Sequence, residues 1–296
     1  MESKKFKCEI ITPMFMYGAD GRTPEIRPSE FKGMMRFWWR AVTWIPGQDN
    51  ENLLKKESEI FGSSDEKIGS SKFRIRIKEN NLQTDTIQPL PHKINAFRRR
   101  AFIRGHFIVE FLGEEINTAN QVFTLSCLLG GFGYRSRRGF GKILPNQIQF
   151  ESIKDYLSMV EELLKEFNTD YYYDKENSKI LHKNESEVRK EANYPVLTEM
   201  LIGKSFDGTA NHYNSFKALA CIGECTHVFN LKGGKLGAAK PRFASPYYVS
   251  VIPISDKFYI TLAKLAINPP ENIRDFSNLQ GFEDCLCNKM RCEDRR

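Results

Sequence analysis

The order of the periodic segments in the first 150 residues constrains the fold of this chain more than any other feature of its sequence. Alternation of apolar and polar side chains predicts strands, and apolar side chains three or four residues apart predict helices. The alternation is strictest in SKFRIRIK, where Phe73, Ile75 and Ile77 would face a core and the basic residues would face solvent. The resulting order, β-α-β-β-α-β, is that of a ferredoxin-like unit. In chain order, the predicted segments are a strand at 5–12, a helix at 29–45, strands at 71–78 and 104–112, a helix at 118–129 and a strand at 140–150.

The second half of the sequence repeats this kind of material less regularly. Residues 168–192 are polar and show no period, which indicates a loop. We therefore predict an α+β protein with two ferredoxin-like (RRM-like, βαββαβ) domains, the second of them degenerate. The expected boundaries are 1–150 for an N-terminal domain that carries a glycine-rich loop and 151–296 for the C-terminal domain. The segments predicted in the second half are helices at 153–167 and 215–223 and strands at 194–201, 247–253 and 257–266.

Positive charge is concentrated in the first half of the chain. The formal net charge is +7, yet residues 1–150 hold 24 Lys and Arg against 16 Asp and Glu, a balance of +8, whereas the remainder holds 20 against 21. Between residues 92 and 142, nine basic side chains accompany three acidic ones. Such a block attracts a polyanion. Nucleic acid, an anionic membrane and an acidic protein all fit this distribution of charge.

The strongest local motif is LLGGFGYRSRRGFGK at residues 128–142. Its glycines allow tight turns and a close approach to a ligand, its basic residues attract phosphate, and its tyrosine offers a stacking face. The spacing fits neither the Walker phosphate loop nor the Gly-x-Gly-x-x-Gly fingerprint. A basic exposed turn without a ligand is the alternative, but glycine pairs on both sides of the arginines favour binding of a phosphodiester backbone. The candidate RNA-binding residues in this loop are Gly133, Tyr134, Arg135, Arg137, Arg138, Gly139, Gly141 and Lys142.

Two further basic segments are candidates for RNA binding. On the predicted first helix, three cations recur every four residues beside a tryptophan, which suits a stacked single strand, although a solvated helix face with a packed tryptophan explains the same pattern. An arginine run before the third strand is either a phosphate clamp or a solubilising strand edge. We expect the helix and the glycine-rich loop to converge on one groove for a ribose-phosphate strand. The candidates are Lys32, Arg36, Trp39 and Arg40 on the helix, and Arg98, Arg99 and Arg100 in the run.

At these motifs the sequence resembles a known family. The stretch TPMFMYGADGRTPEIRPSEFKGMMRFWWRAV (12–42), the segment EIFGSS (59–64) and the loop GGFGYRSRRGFGK resemble the RAMP superfamily of CRISPR proteins. In particular, they are similar to the first-named RAMP subunit of the Cmr, or type III-B, effector complex. The resemblance covers about the first 150 residues, and the rest of the chain matches loosely.

This resemblance implies a non-catalytic RNA-binding subunit with two ferredoxin-like domains. The implied partners are the CRISPR guide RNA, chiefly its 3′ part, the target RNA and other RAMP subunits of the Cmr complex, acting together in antiviral interference. The positions carried over onto this sequence are Lys32, Arg36, Arg40, Arg135, Arg137, Arg138 and Lys142, with Gly133, Gly139 and Gly141 shaping the loop.

A RAMP-type endoribonuclease is the main alternative function. RAMP relatives that process guide RNA use histidine as general acid or base beside the glycine-rich loop, but none of the five histidines lies in the first helix or in that loop. Other RAMP subunits cut target RNA with an aspartate in the loop after the first strand. Asp20 occupies such a loop here, although its Gly-Ala-Asp-Gly setting is also that of an ordinary turn.

The cysteines indicate neither a disulfide framework nor a metal site. Seven cysteines are spread from Cys8 to Cys292, and neither the 221–227 group nor the 285–292 group contains the Cys-x2-Cys pair that zinc sites favour. We therefore predict free thiols, no metal and no cofactor. No apolar run approaches the roughly 20 residues of a membrane span and the N-terminus lacks a signal sequence, so we expect a cytoplasmic protein without a membrane partner.

Overall fold

The computed structural model describes residues 2–64, 67–93, 96–206, 212–230, 236–237, 243–267 and 279–289. They form two sheets built of antiparallel strand pairs, with helices packed against both. The first half contains β1 (Glu2–Ile10), α1 (Pro28–Thr43), α2 (Asn50–Phe61), β2 (Phe73–Ile87), β3 (Arg99–Gly113), α3 (Ile116–Leu129) and β4 (Ile143–Pro145).

The first sheet has the strand order β2-β3-β1-β4. This is the order of a ferredoxin-like unit, so the fold class predicted for the first half is confirmed. Alternation along β1 places Phe6 and Cys8 in the core, whereas Lys5 and Lys7 are exposed. The ring of Phe6 lies 5.1 Å from that of Phe123 on α3, so the helix covers one face of the sheet.

Helix α1 anchors the start of the glycine-rich loop. Pro28 stands at the first helical position, where its restricted φ suits a helix. The backbone N–H that proline lacks would have no partner within the helix at this position. The buried side chain of Phe31 stacks on Phe132 at 4.6 Å between ring centres. The apolar stripe of this helix therefore fixes where the loop begins.

Two features of the first half were not predicted from the sequence. Helix α2 was missed because its apolar positions are sparse, and one of its buried side chains is the carboxylate of Glu57. Strand β2 runs to Ile87 rather than ending at residue 78, because the polar segment after Lys78 continues the ladder with β3. Backbone pairing, rather than apolar alternation, makes this extension a strand.

The second sheet has the order β5-β6-β7-β9-β8. The unit β7-α6-β8-β9 repeats the β-α-β-β half of a ferredoxin-like fold, and β6 pairs with β7 at the position where the fourth strand would lie. A degenerate second unit was predicted, and the fold class is confirmed. The elements are α4 (Ile153–Lys165), β5 (Tyr171–Asp174), β6 (Lys179–His182), α5 (Glu185–Glu191), β7 (Val196–Phe206), α6 (His212–Asn230), β8 (Tyr247–Ile254), β9 (Lys257–Ala266) and α7 (Leu279–Asp284), which a π-helical turn (Cys285–Lys289) follows.

The two halves share hydrophobic core. Trp38 of α1 packs 5.2 Å from the ring of Tyr248 on β8, and both side chains are buried. The hydroxyl of Tyr248 donates to the carbonyl oxygen of Gly131 at 3.0 Å, and that of Ser250 donates to Gly130 at 2.9 Å. These contacts seat the glycine-rich loop on the second sheet, and the boundary at residue 150 stays a prediction.

The prediction of a loop at 168–192 is wrong. The segment forms the hairpin β5–β6 and helix α5. Tyr171 and Ile180 are buried on one side of the hairpin, and Asp174 accepts hydrogen bonds from the backbone N–H groups of Glu176 and Asn177 in its turn. Tyrosines and charged residues concealed this pattern, because the periodicity analysis treated them as polar.

The prediction of free cysteines is wrong for one pair. Cys225 of α6 and Cys285 after α7 form a disulfide with Cα atoms 6.1 Å apart. Their separation of 60 residues hid this proximity, which arises from the packing of α6 on the segment after α7. Cys8, Cys127 and Cys221 are buried free thiols, Cys287 is a partly buried free thiol, and Cys292 lies outside the described residues.

Neither a cluster of metal ligands nor a membrane-spanning helix occurs in the described ranges. In those ranges, no group of three His, Cys, Asp or Glu side chains is arranged to hold a metal ion. None of the helices described is long and apolar enough to cross a bilayer.

Candidate nucleic-acid interface

The glycine-rich loop runs from the end of α3 to the start of β4, and backbone hydrogen bonds fix its shape. Gly141 donates to the carbonyl oxygen of Pro13, and Tyr134 donates to that of Phe15, both at 2.8 Å. At Gly141, φ is +71°, and a Cβ atom would lie 1.8 Å from the carbonyl oxygen of Phe132. No other residue fits there, which explains why the loop needs this glycine.

The arginines of the loop open onto a cavity of about 680 Å³. The walls come from the loop itself, from the turn at 90–93, from α6 and from the segment before β8. Among the described side chains that line it there is no carboxylate. Its charged or titratable lining residues are His92, Lys93, Tyr134, Arg135, Arg137, Arg138 and His227.

Arg137 and Arg138 are held at the inner wall of this cavity. Arg137 donates to the carbonyl oxygen of Ser245 at 2.7 Å, and Arg138 donates to that of Leu236. Within the described part of the chain, neither guanidinium group pairs with a carboxylate. Burial lowers the pKa of Arg137, and burial together with the neighbouring guanidinium groups lowers that of Arg138 to about 9. The cavity wall therefore carries positive charge without a counter-charge.

Arg135 and Tyr134 form the outer lip of the cavity. Arg135 has a φ of +62°, a left-handed conformation that a non-glycine residue adopts rarely, and its buried Nε has no hydrogen-bond partner in the part of the chain that the structure describes. Burial lowers the pKa of this guanidinium. Tyr134 leaves 47% of its surface exposed, so its ring is available for stacking.

Arg99 extends this lip into a cluster of aromatic rings. Its guanidinium carbon lies 5.8 Å from the ring centre of Tyr17 and 5.6 Å from those of Phe97 and Tyr134. Phe97 is 51% exposed. Sequence reasoning missed Tyr17 and Phe97, although both aromatics stand inside the two segments it singled out, PMFMYG and NAFRRR. We call Tyr17, Phe97, Arg99 and Tyr134 the Arg99 cluster.

The other two arginines of the run are exposed but brace the β2–β3 ribbon. Arg98 donates to the carbonyl oxygen of Thr86 at 2.8 Å, and Arg100 donates to the hydroxyl of Thr84 at 3.1 Å. Exposed arginines retain donors for a phosphate, so these two residues flank the Arg99 cluster as secondary candidates.

The cationic side of α1 is used in packing against α2. The buried carboxylate of Glu57 pairs with Arg36 at 3.3 Å and with Arg40 at 2.7 Å. Lys32 lies 5.3 Å from the ring centre of Phe73, and Trp39 is buried. None of these residues lines the cavity of the glycine-rich loop. The prediction that the helix and the loop converge on one groove is wrong, because α2, absent from the predicted fold, covers the helix cations.

Lys142 is also directed into the protein. It is fully buried, its ammonium group donates to the carbonyl oxygen of Leu128 at 2.8 Å, and burial lowers its pKa to about 7. Since α3 ends at Leu129, the lysine satisfies a carbonyl of the last helical turn. In this conformation an external phosphate cannot reach it.

Asp20 lies in the exposed loop between β1 and α1. Its carboxylate accepts a hydrogen bond from the hydroxyl of Thr23 at 2.5 Å and from the backbone N–H groups of Arg22 and Thr23 at 2.9 Å. These bonds lower the pKa of Asp20 to about 2, and the bond from the Thr23 hydroxyl has the largest effect. The carboxylate therefore has a structural role in closing its own turn.

Comparison with known proteins identifies relatives of this chain. The sequence model of the RAMP superfamily matches residues 7–143. CRISPR system Cmr subunit Cmr1-2 of Pyrococcus furiosus is 29% identical over an alignment of 175 residues, and the match covers 47% of this chain and 92% of that protein. Subunit Cmr1-1 of the same organism is 29% identical over an alignment of 171 residues, and the match covers 51% of this chain and 50% of that protein.

Solved structures show the same fold over nearly the whole chain. The crystal structure of Cmr1 from Pyrococcus furiosus in its apo form has a TM-score of 0.60 at 19% identity and covers 96% of each chain. A chain in the cryo-EM structure of the type III-B Cmr-beta complex bound to cognate target RNA has a TM-score of 0.59 at 12% identity, over 95% of this chain and 98% of that chain. The family resemblance of the sequence motifs is confirmed: residues 7–143 match the sequence model of the RAMP superfamily, and the chain is similar to the Cmr1 subunits of Pyrococcus furiosus.

Proposed function

We propose that this chain is a non-catalytic, RNA-binding subunit of a type III-B Cmr effector complex. In this role it holds the 3′ part of the guide RNA and the target RNA beside other RAMP subunits. Similarity to Cmr1-1 and Cmr1-2 supports membership of such a complex. The observation that carries RNA binding is the cavity of the glycine-rich loop, whose guanidinium groups lack carboxylate partners among the described residues.

Uncompensated positive charge indicates an anionic ligand. A half-buried guanidinium group without a counter-charge is unfavourable, and a phosphodiester in the cavity would supply the missing negative charge. Arg137 and Arg138 contribute mainly through their electric field, because backbone carbonyl oxygens already occupy donors of both. Arg135, at the outer lip, has an unpartnered Nε and is the residue of the three best placed to respond to a phosphate.

The Arg99 cluster supplies the second element of single-strand recognition. The exposed rings of Phe97 and Tyr134 lie close to the guanidinium group of Arg99, and proteins use such combinations to stack unpaired bases while attracting the backbone. Such contacts depend little on base identity, so we expect affinity for single-stranded RNA with weak sequence preference.

The non-catalytic part of the proposal rests on the contacts of Asp20, the candidate residue for a RAMP-type endoribonuclease. The carboxylate of Asp20 is engaged by three hydrogen bonds of its own turn. Within the described ranges, no group of side chains stands ready to place a metal ion beside it. These contacts favour a turn-forming role for this aspartate.

The experiment that tests RNA binding compares two double variants of the full chain. Arg99→Ala with Tyr134→Ala removes a cation and a ring from the proposed interface. Lys154→Ala with Tyr172→Ala removes an exposed cation and an exposed ring from the second half and serves as the matched control. Binding of a fluorescent single-stranded RNA is measured by anisotropy at several salt concentrations.

The interface variant should weaken binding at least about tenfold, since stacking contributes roughly 1–3 kcal/mol per base. It should also reduce the slope of log Kd against log salt by about 0.7 for each phosphate that the variant no longer binds. Equal weakening in both variants, or none in the first, would contradict the assignment of the Arg99 cluster to RNA.

Membership of a Cmr complex is tested separately by co-expression with the other Cmr subunits and a guide RNA. We expect the chain to co-purify with the protein subunits and the RNA through size exclusion. Recovery as a free chain in the presence of an assembled complex would reject this part of the proposal.

A further inference from the structure

The cavity beside the glycine-rich loop holds a pair of histidines that sequence analysis could not place together. His92 comes from the turn that precedes the arginine run, and His227 comes from the last part of α6. Their ring centres lie 5.4 Å apart with the ring planes tilted by 32°. Because α6 belongs to the second half of the chain, both halves build this site.

The position of His92 depends on one glycine. A Cβ atom at residue 223 would lie 2.4 Å from Nδ1 of His92, so the ring fits against α6 because Gly223 has no side chain. That Nδ1 is buried against α6 and has no hydrogen-bond partner among the described residues, and the same holds for Nε of Arg135, another residue of the cavity lining. Unsatisfied hydrogen-bonding capacity at both residues marks a polar site rather than an apolar contact.

The charged groups around His92 indicate that the ligand carries negative charge. Among the described residues, the charged or titratable groups that act on His92 are Lys93 from its own turn, Arg135 from the loop and His227 from α6, all cationic or able to become so. Tyr134 is the remaining titratable group on the outer lip, and the exposed carboxylate of Glu224 on α6 does not line the cavity. Burial, followed by these positive neighbours, lowers the pKa of His92 to about 4, so its ring is neutral at pH 7 without a ligand.

The size of the cavity identifies the class of ligand. A volume of about 680 Å³ lies within the roughly 300–1,000 Å³ of small-molecule sites and is large enough for one nucleotide. Guanidinium, ammonium and imidazolium groups are the donors that proteins use for phosphate.

We propose that this cavity is a nucleotide-phosphate pocket and that the His92–His227 pair takes up a proton when the phosphate binds. The proposal rests on the RNA-binding function proposed above and adds a specific pocket and a linked proton. An RNA strand and a free nucleotide present the same phosphate group, so the probes of the experiment distinguish these two sources.

The direction of the pH effect follows from linkage. A phosphate bound in the cavity beside the rings stabilises the imidazolium form and raises the histidine pKa in the bound state. Binding is therefore tightest below the free-state pKa, weakens as pH rises from the free-state to the bound-state pKa, and stays constant above the bound-state pKa. Uptake of one full proton changes Kd by about tenfold per pH unit in that interval.

The test measures the Kd of the full chain from pH 5.5 to pH 8 with three probes: a short single-stranded RNA, AMP and inorganic phosphate. The wild-type chain should bind RNA at least several-fold more tightly at pH 6 than at pH 8. His92→Gln with His227→Gln keeps hydrogen-bonding groups but cannot take up a proton, so the pH profile of its RNA binding should be flat.

A third variant separates this effect from misfolding. Gly223→Ala places a methyl group against the His92 ring in the middle of α6, where alanine favours the helix, so the chain should fold while losing the proton linkage. Lys217→Ala, an exposed position on the same helix, is the control and should keep the wild-type profile.

The outcomes distinguish the two proposals. Proton-linked binding of AMP or phosphate identifies a pocket for free nucleotides, and linkage with RNA alone identifies a pocket for the strand; both support the inference. Binding of RNA with the same pH profile in wild type and in His92→Gln with His227→Gln overturns the pocket and leaves the RNA-binding function intact. Absence of RNA binding by the wild-type chain at every pH rejects the proposed function and the pocket with it.

Discussion

Arg137 donates a hydrogen bond to the backbone carbonyl oxygen of Ser245 and so joins the glycine-rich loop of the first half to the segment that leads into β8. The same guanidinium lies 4.9 Å from the ring centre of Phe37 on α1 and 5.4 Å from that of Tyr248. One cation therefore holds together a helix, a loop and a strand. A residue selected for RNA binding from its sequence also stabilises the contact between the two halves.

Removing this cation should destabilise the chain. Arg137→Met keeps the length of the side chain but removes the hydrogen bond and the cation from both rings, so we expect a decrease in stability of about 2 kcal/mol. Urea unfolding followed by tryptophan fluorescence measures the change. Arg22→Met, at an exposed position of the β1–α1 loop, is the control and should keep the wild-type midpoint. An unchanged midpoint for Arg137→Met would show that the link to Ser245 is not formed in solution.

The carboxylate of Glu57 should matter for stability and not for RNA. Glu57→Gln leaves Arg36 and Arg40 without a counter-charge beside a buried amide, and the expected decrease in stability is about 1–3 kcal/mol. If the two arginines bound RNA, releasing them from Glu57 would increase affinity. We expect no increase, and anisotropy titration of the variant decides the question. Tighter RNA binding would return the α1 cations to the interface.

The disulfide between Cys225 and Cys285 should stabilise the packing of α6 on the C-terminal segment. Cross-links of this kind contribute about 2–4 kcal/mol, chiefly by restricting the unfolded chain. Cys225→Ser with Cys285→Ser should therefore lower the Tm, and added dithiothreitol should lower the Tm of the wild type to a similar value. Cys287→Ser, which alters a free thiol two residues from Cys285, should have a much smaller effect. A wild-type Tm that dithiothreitol leaves unchanged would contradict a formed disulfide.

The sequence predicted backbone architecture better than side-chain roles, and the reason is physical. Alternation in β1 and β2 reports which side of a strand faces the core, and that local information suffices for the ferredoxin-like order. The partner of a charged side chain is not local: Arg36 meets a carboxylate 21 residues away, and Arg138 meets a carbonyl 98 residues away. Basic spacing on α1 therefore looked like a binding face, whereas it is a packing face.

The Arg99 cluster and the histidine pair illustrate the same limit. Tyr17 and Phe97 lie 80 residues apart in the sequence, and their contact with one guanidinium requires the loop after β1 to lie beside the start of β3. The isolated bridge between Met14 and Phe102 makes that approach. Period and composition do not encode such a pairing.

Lys142 should make stability depend on pH in an unusual direction. Its pKa is about 7 in the folded chain because of burial, against an ordinary value of 10.5, so between these values the unfolded chain binds a proton that the folded chain does not. Stability against unfolding should therefore rise with pH across this interval on account of this group. Lys142→Met should abolish that rise and stabilise the chain below pH 7, since Tyr156 still donates to the carbonyl oxygen of Leu128 at 3.0 Å.

Urea midpoints from pH 6 to pH 9.5 measure this dependence, and RNA titrations of Lys142→Met provide a second measurement. We expect unchanged affinity, because the ammonium group is buried. A variant that binds RNA as weakly as Arg99→Ala with Tyr134→Ala would show instead that Lys142 becomes accessible in the bound state.

We expect that Asp20 does not cleave bound RNA. Its carboxylate is held by Thr23 and by the backbone of its own turn, which keeps the group ionised down to about pH 2, and it has no acid–base partner among the described contacts. We expect complementary and unrelated RNA to remain intact with the wild-type chain and with Asp20→Ala, with and without Mg²⁺, as judged by denaturing gels of end-labelled RNA. Asp174→Ala, which removes another aspartate that closes a turn, is the matched control. Cleavage by the wild type that persists in Asp174→Ala and disappears in Asp20→Ala would establish an endoribonuclease, because loss of a turn is common to both variants and loss of a catalytic carboxylate is not.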